Sequence, residues 1–322
     1  MVIQQFDESL SDEWDKFVSN TSAATLLHTR RFLSYHESRF EDYSLIARDG
    51  KGHIVAVFPA ALSLSDNSIV VSHPGATYGG ILGGGKCRGE VMFRLLQKIC
   101  EHYKKRGLLK LQYKAVPFIY YNMPVQDDLY ALFLLDAVRY RCDLSATVDL
   151  SHRGTIGSRR KRGYKKAVKS GVIIASGVQY ASGLWDVLHA NLKDKYDVNP
   201  VHTLDEVLLL HERFPEQIKF VVALNEGKVE AGVVLFQSSM VSHAQYITSS
   251  VTGYAVNALD MVFEHCIAEA KDLRVRYFDF GISNEDAGRV LNEGLYGFKA
   301  EFGAGGVVHE FYELDLEALN AT

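Results

Sequence analysis

Nowhere in the 322 residues do eighteen apolar side chains follow one another, so no stretch is suited to cross a bilayer as a helix. The opening Met-Val-Ile-Gln-Gln-Phe-Asp-Glu has neither a basic start nor an apolar core, and no secretory signal is expected. Only four cysteines occur, Cys87, Cys100, Cys142 and Cys266, and their spacing fits neither a metal site nor a redox pair. Cys100 and Cys266 fall on apolar faces of expected helices and read as buried thiols, which suits a reducing cytoplasm. A net charge of −4 argues against general nucleic-acid binding. No phosphate loop of the Walker type is present, because Gly85-Lys86 is followed by Cys87 where Ser or Thr is needed. Asp279-Phe280-Gly281 spells a kinase triplet, but neither a Gly-rich loop with Val-Ala-x-Lys nor a His-Arg-Asp accompanies it.

What is present describes a soluble globular chain: 47% hydrophobic residues and a mean hydropathy of −0.05. Its length is ample for one core and comfortable for two. The most informative stretch is 240–303. It is expected to run as a strand (240–249), a polar loop (250–257), a helix (258–271), a strand (274–280) and a second helical segment closing at Gly303. Leu259, Val262, Phe263, Cys266, Ile267 and Ala270 recur at helical spacing, and Asn257 is the expected N-cap. A strand that feeds a short loop into a helix start aims unpaired N–H groups and the positive dipole end at one spot, which suits a diphosphate.

Earlier segments follow the same order. Residues 43–48 and 53–63 form a hairpin about Asp49-Gly-Lys-Gly52, and 68–72 is a strand. Residues 75–89 hold seven glycines in fifteen positions. Met92, Leu95, Leu96, Ile99, Cys100 and Tyr103 then mark one helix face, and a strand follows at 108–113. The later copy begins with 218–224 and 229–237 around Asn225-Glu-Gly-Lys228. Two α/β units in tandem are therefore expected, 1–150 and 151–322, each a mixed sheet flanked by helices. Shorter helical stretches are expected at 11–19 and 29–37.

Residues 151–170 carry eight Lys or Arg and no acid: Arg153, Arg159, Arg160, Lys161, Arg162, Lys165, Lys166 and Lys169. The plain reading is a solvated basic helix. Guanidinium forks also match phosphate oxygens, so the segment is equally a clamp for a diphosphate-bearing substrate. Tyr164 is the one interleaved aromatic, which disfavours nucleic acid.

The order within 240–303, closing on Gly294-Leu-Tyr296-Gly-Phe298, resembles the acyl-coenzyme-A half of the GNAT acyltransferases, although 249–257 lacks their usual Arg/Gln-x-x-Gly-x-Gly/Ala loop. Across nearly the whole chain, His28-Thr-Arg-Arg31-Phe-Leu, Tyr78-Gly-Gly, Tyr120-Tyr121-Asn-Met-Pro with Asp127-Asp-Leu-Tyr-Ala-Leu-Phe, and Ser158-Arg-Arg-Lys-Arg-Gly-Tyr-Lys-Lys-Ala resemble tandem-GNAT proteins related to the Fem-type peptidoglycan bridge transferases. Asn199-Pro-Val-His-Thr-Leu-Asp-Glu206, Gln245-Tyr-Ile, Asp279-Phe-Gly-Ile-Ser and Leu291-Asn-Glu-Gly-Leu extend the likeness. Within that group the chain is most similar to acyl-CoA-dependent N-acyltransferases that modify nucleotide-linked amino sugars for O-antigen or capsule synthesis. It lacks the long coiled-coil arm of some bridge transferases.

The resemblance implies an acyl-CoA donor held by Tyr246, Thr248, Ser249, Ser250, Gly253, Tyr254, Ala255, Asn257 and Asn292, with no metal. It implies a nucleotide-sugar acceptor held by Arg31, His73, Tyr78, Tyr120, Tyr121, Arg159, Arg162 and Lys299, in a cytoplasmic monomer or weak oligomer. The alternatives are a bridge transferase that uses aminoacyl-tRNA, or a binding module without activity. N-acylation needs a neutral amine, a donor for the thioester carbonyl and an acid for the departing thiolate. By position Tyr296 is the acid. His202, Asp279 and His243 are the candidate bases. An imidazole titrates near neutrality, but Thr203 and Glu206 beside His202 also spell a capping box. Asp279 ends the strand expected to border the acyl site. His243 alternates with apolar neighbours and reads as a wall residue.

Overall fold

The computed structural model describes residues 1–319. In chain order its first elements are β1 (Val2–Gln5), α1 (Ser11–Val18), α2 (Arg30–Leu33), β2 (Leu45–Arg48), β3 (Ile54–Phe58), β4 (Ala61–Leu62), β5 (Ile69–Val71), β6 (Leu82–Gly83), α3 (Glu90–Lys105), β7 (Lys110–Lys114), α4 (Asp127–Leu134) and β8 (Val138–Asp149). Then come α5 (Ser158–Lys169), β9 (Ile173–Ser176), α6 (Ala181–Tyr196), α7 (Leu204–Arg213), β10 (Ile218–Asn225), β11 (Lys228–Gln237), β12 (Val241–Ser249), α8 (Val251–Val256) and α9 (Ala258–Asp272). The chain closes with β13 (Tyr277–Ile282), β14 (Asn284–Glu285), β15 (Val290–Leu291), α10 (Glu293–Ala300) and β16 (Gly305–Asp315). No described helix is long and apolar enough to cross a membrane. The contacts divide the chain into a first unit, Met1–Asp143 with Asp286–Arg289 and the residues from Val308 on, and a second, Leu144–Glu285 with Val290–Val307.

In the first unit β1, β2, β3 and β6 form an antiparallel sheet. Asp49 Oδ1 closes the β2–β3 turn by accepting from the amides of Lys51 and His53. β5 and β7 pair in parallel, which requires a crossover, and α3 supplies it. The stripe Met92, Leu95, Leu96, Ile99, Cys100 and Tyr103 is buried against Leu45, Phe58, Val70 and Leu111. Each such side chain stabilises the fold by about 1.5–3 kcal/mol. The helix expected at 29–37 is shorter. After one turn it tightens into 3₁₀ geometry, and Glu37, at φ 50°, breaks it.

The second unit orders its strands β8-β13-β12-β11-β10-β9. β12 and β13 are parallel, and α9 crosses between them. The expected face of α9 is buried on Val233, Leu235, Phe278 and Phe280. Two expectations are corrected here, and two unassigned stretches are filled. The stretch 250–257 is largely helix α8 rather than loop, with the Ser250 side chain as its cap, and Asn257 sits left-handed at φ 60° between α8 and α9 without capping either by its side chain. The stretch after β13 is the β14–β15 hairpin, and helix resumes only at Glu293. Finally, 138–149 and 305–315, which the segment reading leaves unassigned, are the long strands β8 and β16. In β8 the buried positions include Asp143, Ser145 and Thr147, so polarity hides the alternation.

Candidate active site

β12 and β13 pair only over Val241–His243 and Tyr277–Asp279. Beyond that point β12 stays on β11, whereas β13 remains on β8 through a register break after Asp279, with Gly281 at φ 76°. His243 and Asp279 stand at this fork. Asp279 is wholly buried. Its Oδ1 accepts from Thr147 Oγ1 at 2.6 Å and from the Ser145 hydroxyl, and its Oδ2 lies 2.7 Å from His243 Nδ1. An ionised carboxylate only accepts, so Nδ1–H donates to Asp279, and in the neutral ring Nε2 carries the lone pair. The His243 side chain keeps 11% of its surface open. Lys299 of α10 donates to the carbonyls of Gly281 (2.9 Å) and Ile282 (2.7 Å), which fixes the departing strand. Burial pulls its ammonium down to about 8, with the Asp279 charge opposing.

The other candidates take different places. The His202 amide donates to the Tyr246 hydroxyl at 3.1 Å, and Nδ1 of the same ring shares a short hydrogen bond with it. Burial pushes that phenol up to about 12. Thr203 and Glu206 do form the reciprocal cap of α7. Asn292 caps α10 by accepting from the Leu295 amide at 3.0 Å, while its Nδ2 donates to Glu285 at 2.9 Å. One turn later Tyr296 packs half-buried beside the α9 cluster. A Cβ on Gly306 would lie 3.1 Å from its hydroxyl, so that glycine makes room for the phenol tip.

At the far end of β12, Thr248 Oγ1 accepts from Asn191 Nδ2 at 3.2 Å, and Ser249 Oγ donates to the Ser250 carbonyl at 3.3 Å. Ser250 Oγ accepts from the Gly253 amide at 2.9 Å and donates to the Glu230 carboxylate. A Cβ at Gly253 would lie 2.3 Å from the Glu230 carbonyl oxygen, so the residue has to be glycine. Val251 and Thr252 head α8, where amides have no acceptor within the helix. Tyr254 and Ala255 are exposed beyond them. Glu230, which the sequence reading did not single out, thus puts its own negative charge beside the positive end of α8.

Residues 151–289 match the family model described as an acetyltransferase (GNAT) domain. Over this stretch the chain is similar to GNAT acetyltransferases. The fork of β12 and β13 lies within the matched residues. Solved structures that share the fold over nearly the full chain include the following three. FemX is 10% identical at a TM-score of 0.67, with 97% of each chain covered. The C-terminal domain of a putative lysylphosphatidylglycerol synthetase from Agrobacterium fabrum is 12% identical at 0.64, covering 95% of this chain and 92% of that one. A tandem GNAT protein from the clavulanic acid biosynthesis pathway is 10% identical at 0.53, with 99% of each covered. Comparison with proteins of curated function finds no match. Among the described residues no group of three or more His, Cys, Asp or Glu could hold a metal ion.

The residues expected to hold an acceptor fall in both units. In the second unit Arg159 is 72% exposed and 4.0 Å from Glu301, and Arg162 is exposed as well. Their neighbour Arg160 is instead buried between Asp260 (3.1 Å) and Glu301 (2.9 Å), over the Phe298 ring. In the first unit the Arg31 side chain is exposed. His73 is buried at φ 42° with its ring against His36 and Phe40. Tyr78 donates to Thr25 Oγ1 at 3.1 Å and packs on the buried Tyr120, while Tyr121 donates to the Val116 carbonyl at 2.6 Å. Those three tyrosines build the unit's interior.

Proposed function

We propose that the protein is an acyl-CoA-dependent N-acyltransferase that acylates the amino group of an amino sugar carried on a nucleotide diphosphate, for bacterial surface-polysaccharide synthesis. What carries the reading is the His243–Asp279 pair at the fork of a GNAT domain. Where β13 leaves, the edge of β12 is open to an extended amide-bearing chain such as pantetheine, which can pair as an added strand. The diphosphate of the donor is assigned to the head of α8, with Ser249, Ser250 and Gly253 around it. The amine attacks the thioester carbonyl, and the C–N bond forms as the C–S bond breaks. His243 Nε2 takes the ammonium proton while Asp279 stabilises the imidazolium through Nδ1–H. Tyr296 is assigned the proton delivered to the departing thiolate.

The nucleotide-sugar acceptor rests on the likeness in sequence and on the exposed guanidinium groups of Arg159 and Arg162. Acceptor recognition is assigned to residues 1–150 together with Arg159 and Arg162, and donor binding to the rest of 151–322. Calorimetry with coenzyme A, followed by acetyl-CoA and longer acyl-CoAs against a panel of nucleotide-linked amino sugars, tests the reading. Heat with coenzyme A and transfer to one sugar are expected. No heat, together with transfer from aminoacyl-tRNA to a peptidoglycan precursor, would replace it with a Fem-type reaction.

A further inference from the structure

Helix α5 holds seven Lys or Arg and no acid. Two are engaged: Arg160 by Asp260 and Glu301, and Arg159 by Glu301. Lys161, Arg162, Lys165, Lys166 and Lys169 are exposed and make no ion pair among the described residues. Apolar side chains interleave with them: Tyr164 is 40% exposed, Val168 50%, and Ile173 at the start of β9 64%. Gly163 lets α5 close on α9, since a Cβ there would lie 2.5 Å from the Asp260 carboxylate. Beside that contact a groove of about 710 Å³ opens between α5, α9 and β9, floored by Ile174, Met261 and Ala268 and edged by Lys161, Tyr164 and Lys165. The acid on its wall, Glu264, is held by both terminal nitrogens of Arg153, at 2.6 and 3.1 Å.

We propose that α5 and this groove dock the protein on an anionic phospholipid surface, with one headgroup phosphate between Lys161 and Lys165 and the start of an acyl chain on the apolar floor. Charge complementarity selects the occupant. The chain as a whole carries −4, so the cationic field is local to this helix, as in polybasic segments that bind acidic lipids. Half-exposed apolar side chains between the cations fit a helix whose exposed face lies in the headgroup layer, with Tyr164 and Val168 reaching toward the chains. Duplex nucleic acid would use the charges and leave the groove idle, and a soluble nucleotide would leave Val168 and Ile173 in water. The lining of the groove includes neither His243 nor Asp279, and the inference does not depend on the acyl-transfer reading.

Flotation of the full chain with vesicles of equimolar phosphatidylglycerol and phosphatidylcholine, against phosphatidylcholine alone, tests it. Binding to the acidic vesicles only, weakening with salt, is expected. The double variant Lys161→Glu with Lys165→Glu should weaken it at least about tenfold, at roughly 1 kcal/mol per basic residue. Val168→Asp should also weaken it, whereas circular dichroism and coenzyme A binding stay as in the parent. No binding to acidic vesicles, or binding indifferent to these substitutions, would overturn the proposal. Equal competition by glycerol phosphate or a short DNA duplex would overturn it too, because the surface would then be a general polyanion site.

Discussion

His243 can act as a base only while its partner holds the right tautomer. Three hydrogen bonds on Asp279 serve that end, from Ser145, Thr147 and His243 itself. Asp279→Asn keeps the shape but lets the amide donate, so the imidazole would turn its proton to Nε2 and lose the lone pair the amine needs. With a donor and acceptor in hand, kcat should fall by roughly 10²–10⁴-fold while coenzyme A affinity holds, and His243→Asn should match it. An acidic limb of the pH–rate profile that survives both changes would remove His243 from the reaction. The sequence shows part of this. Asp279 stands out at a strand end, but His243 alternates with apolar neighbours like any wall residue. Ser145 and Thr147 lie 134 and 132 positions from Asp279, and only the register of β8 on β13 brings them together.

At the scale of elements, legibility follows the strength of the repeat. The stripes of α3 and α9 are long and regular, and their helices and flanking parallel strands are readable. α8 is short, carries Gly253 after the β-branched pair Val251 and Thr252, and forms because Ser250 caps it and Glu230 receives that cap. Distant strands decide such an element, and local spacing does not record them. The same cap yields a prediction. If the donor's diphosphate docks at the head of α8, the Glu230 carboxylate repels it. Glu230→Gln, which retains an acceptor for Ser250, should then tighten coenzyme A binding by roughly two- to fivefold, the scale of a charge near a helix end. Titration calorimetry at low salt would read this, and unchanged or weaker binding would place the diphosphate elsewhere.

For the whole molecule, buried bases set the response to acid. His28 accepts from the Thr25 amide at 3.1 Å through Nδ1 and meets the Gly79 carbonyl at 2.8 Å through Nε2, so the neutral ring is fully used. Burial pulls it from 6.5 down to about 4, and His73 moves the same way. Between those values the unfolded chain binds a proton that the folded chain refuses, so stability falls as pH drops from about 6.5 toward 4. Lys114 and Lys299, pulled down to about 7 and about 8, add stability as pH rises toward the ordinary lysine value. His28→Gln should remove about 2 kcal/mol of the loss between pH 7 and pH 4.5, measured by denaturant titration at both. An identical loss in parent and variant would mean that His28 is protonated in the fold.

The first unit also has an unusual timetable. Its strand β7 ends at Lys114 but takes as its antiparallel neighbour the stretch Phe311–Asp315 of β16. On a ribosome, β7 emerges and must wait while nearly two hundred further residues are made before that edge is covered. During the wait the edge of β7 is unpaired, the kind of surface on which newly made chains join one another. A truncation that ends before β16 would make that transient state permanent, so the early part of this chain is finished only by a strand made nearly two hundred residues later.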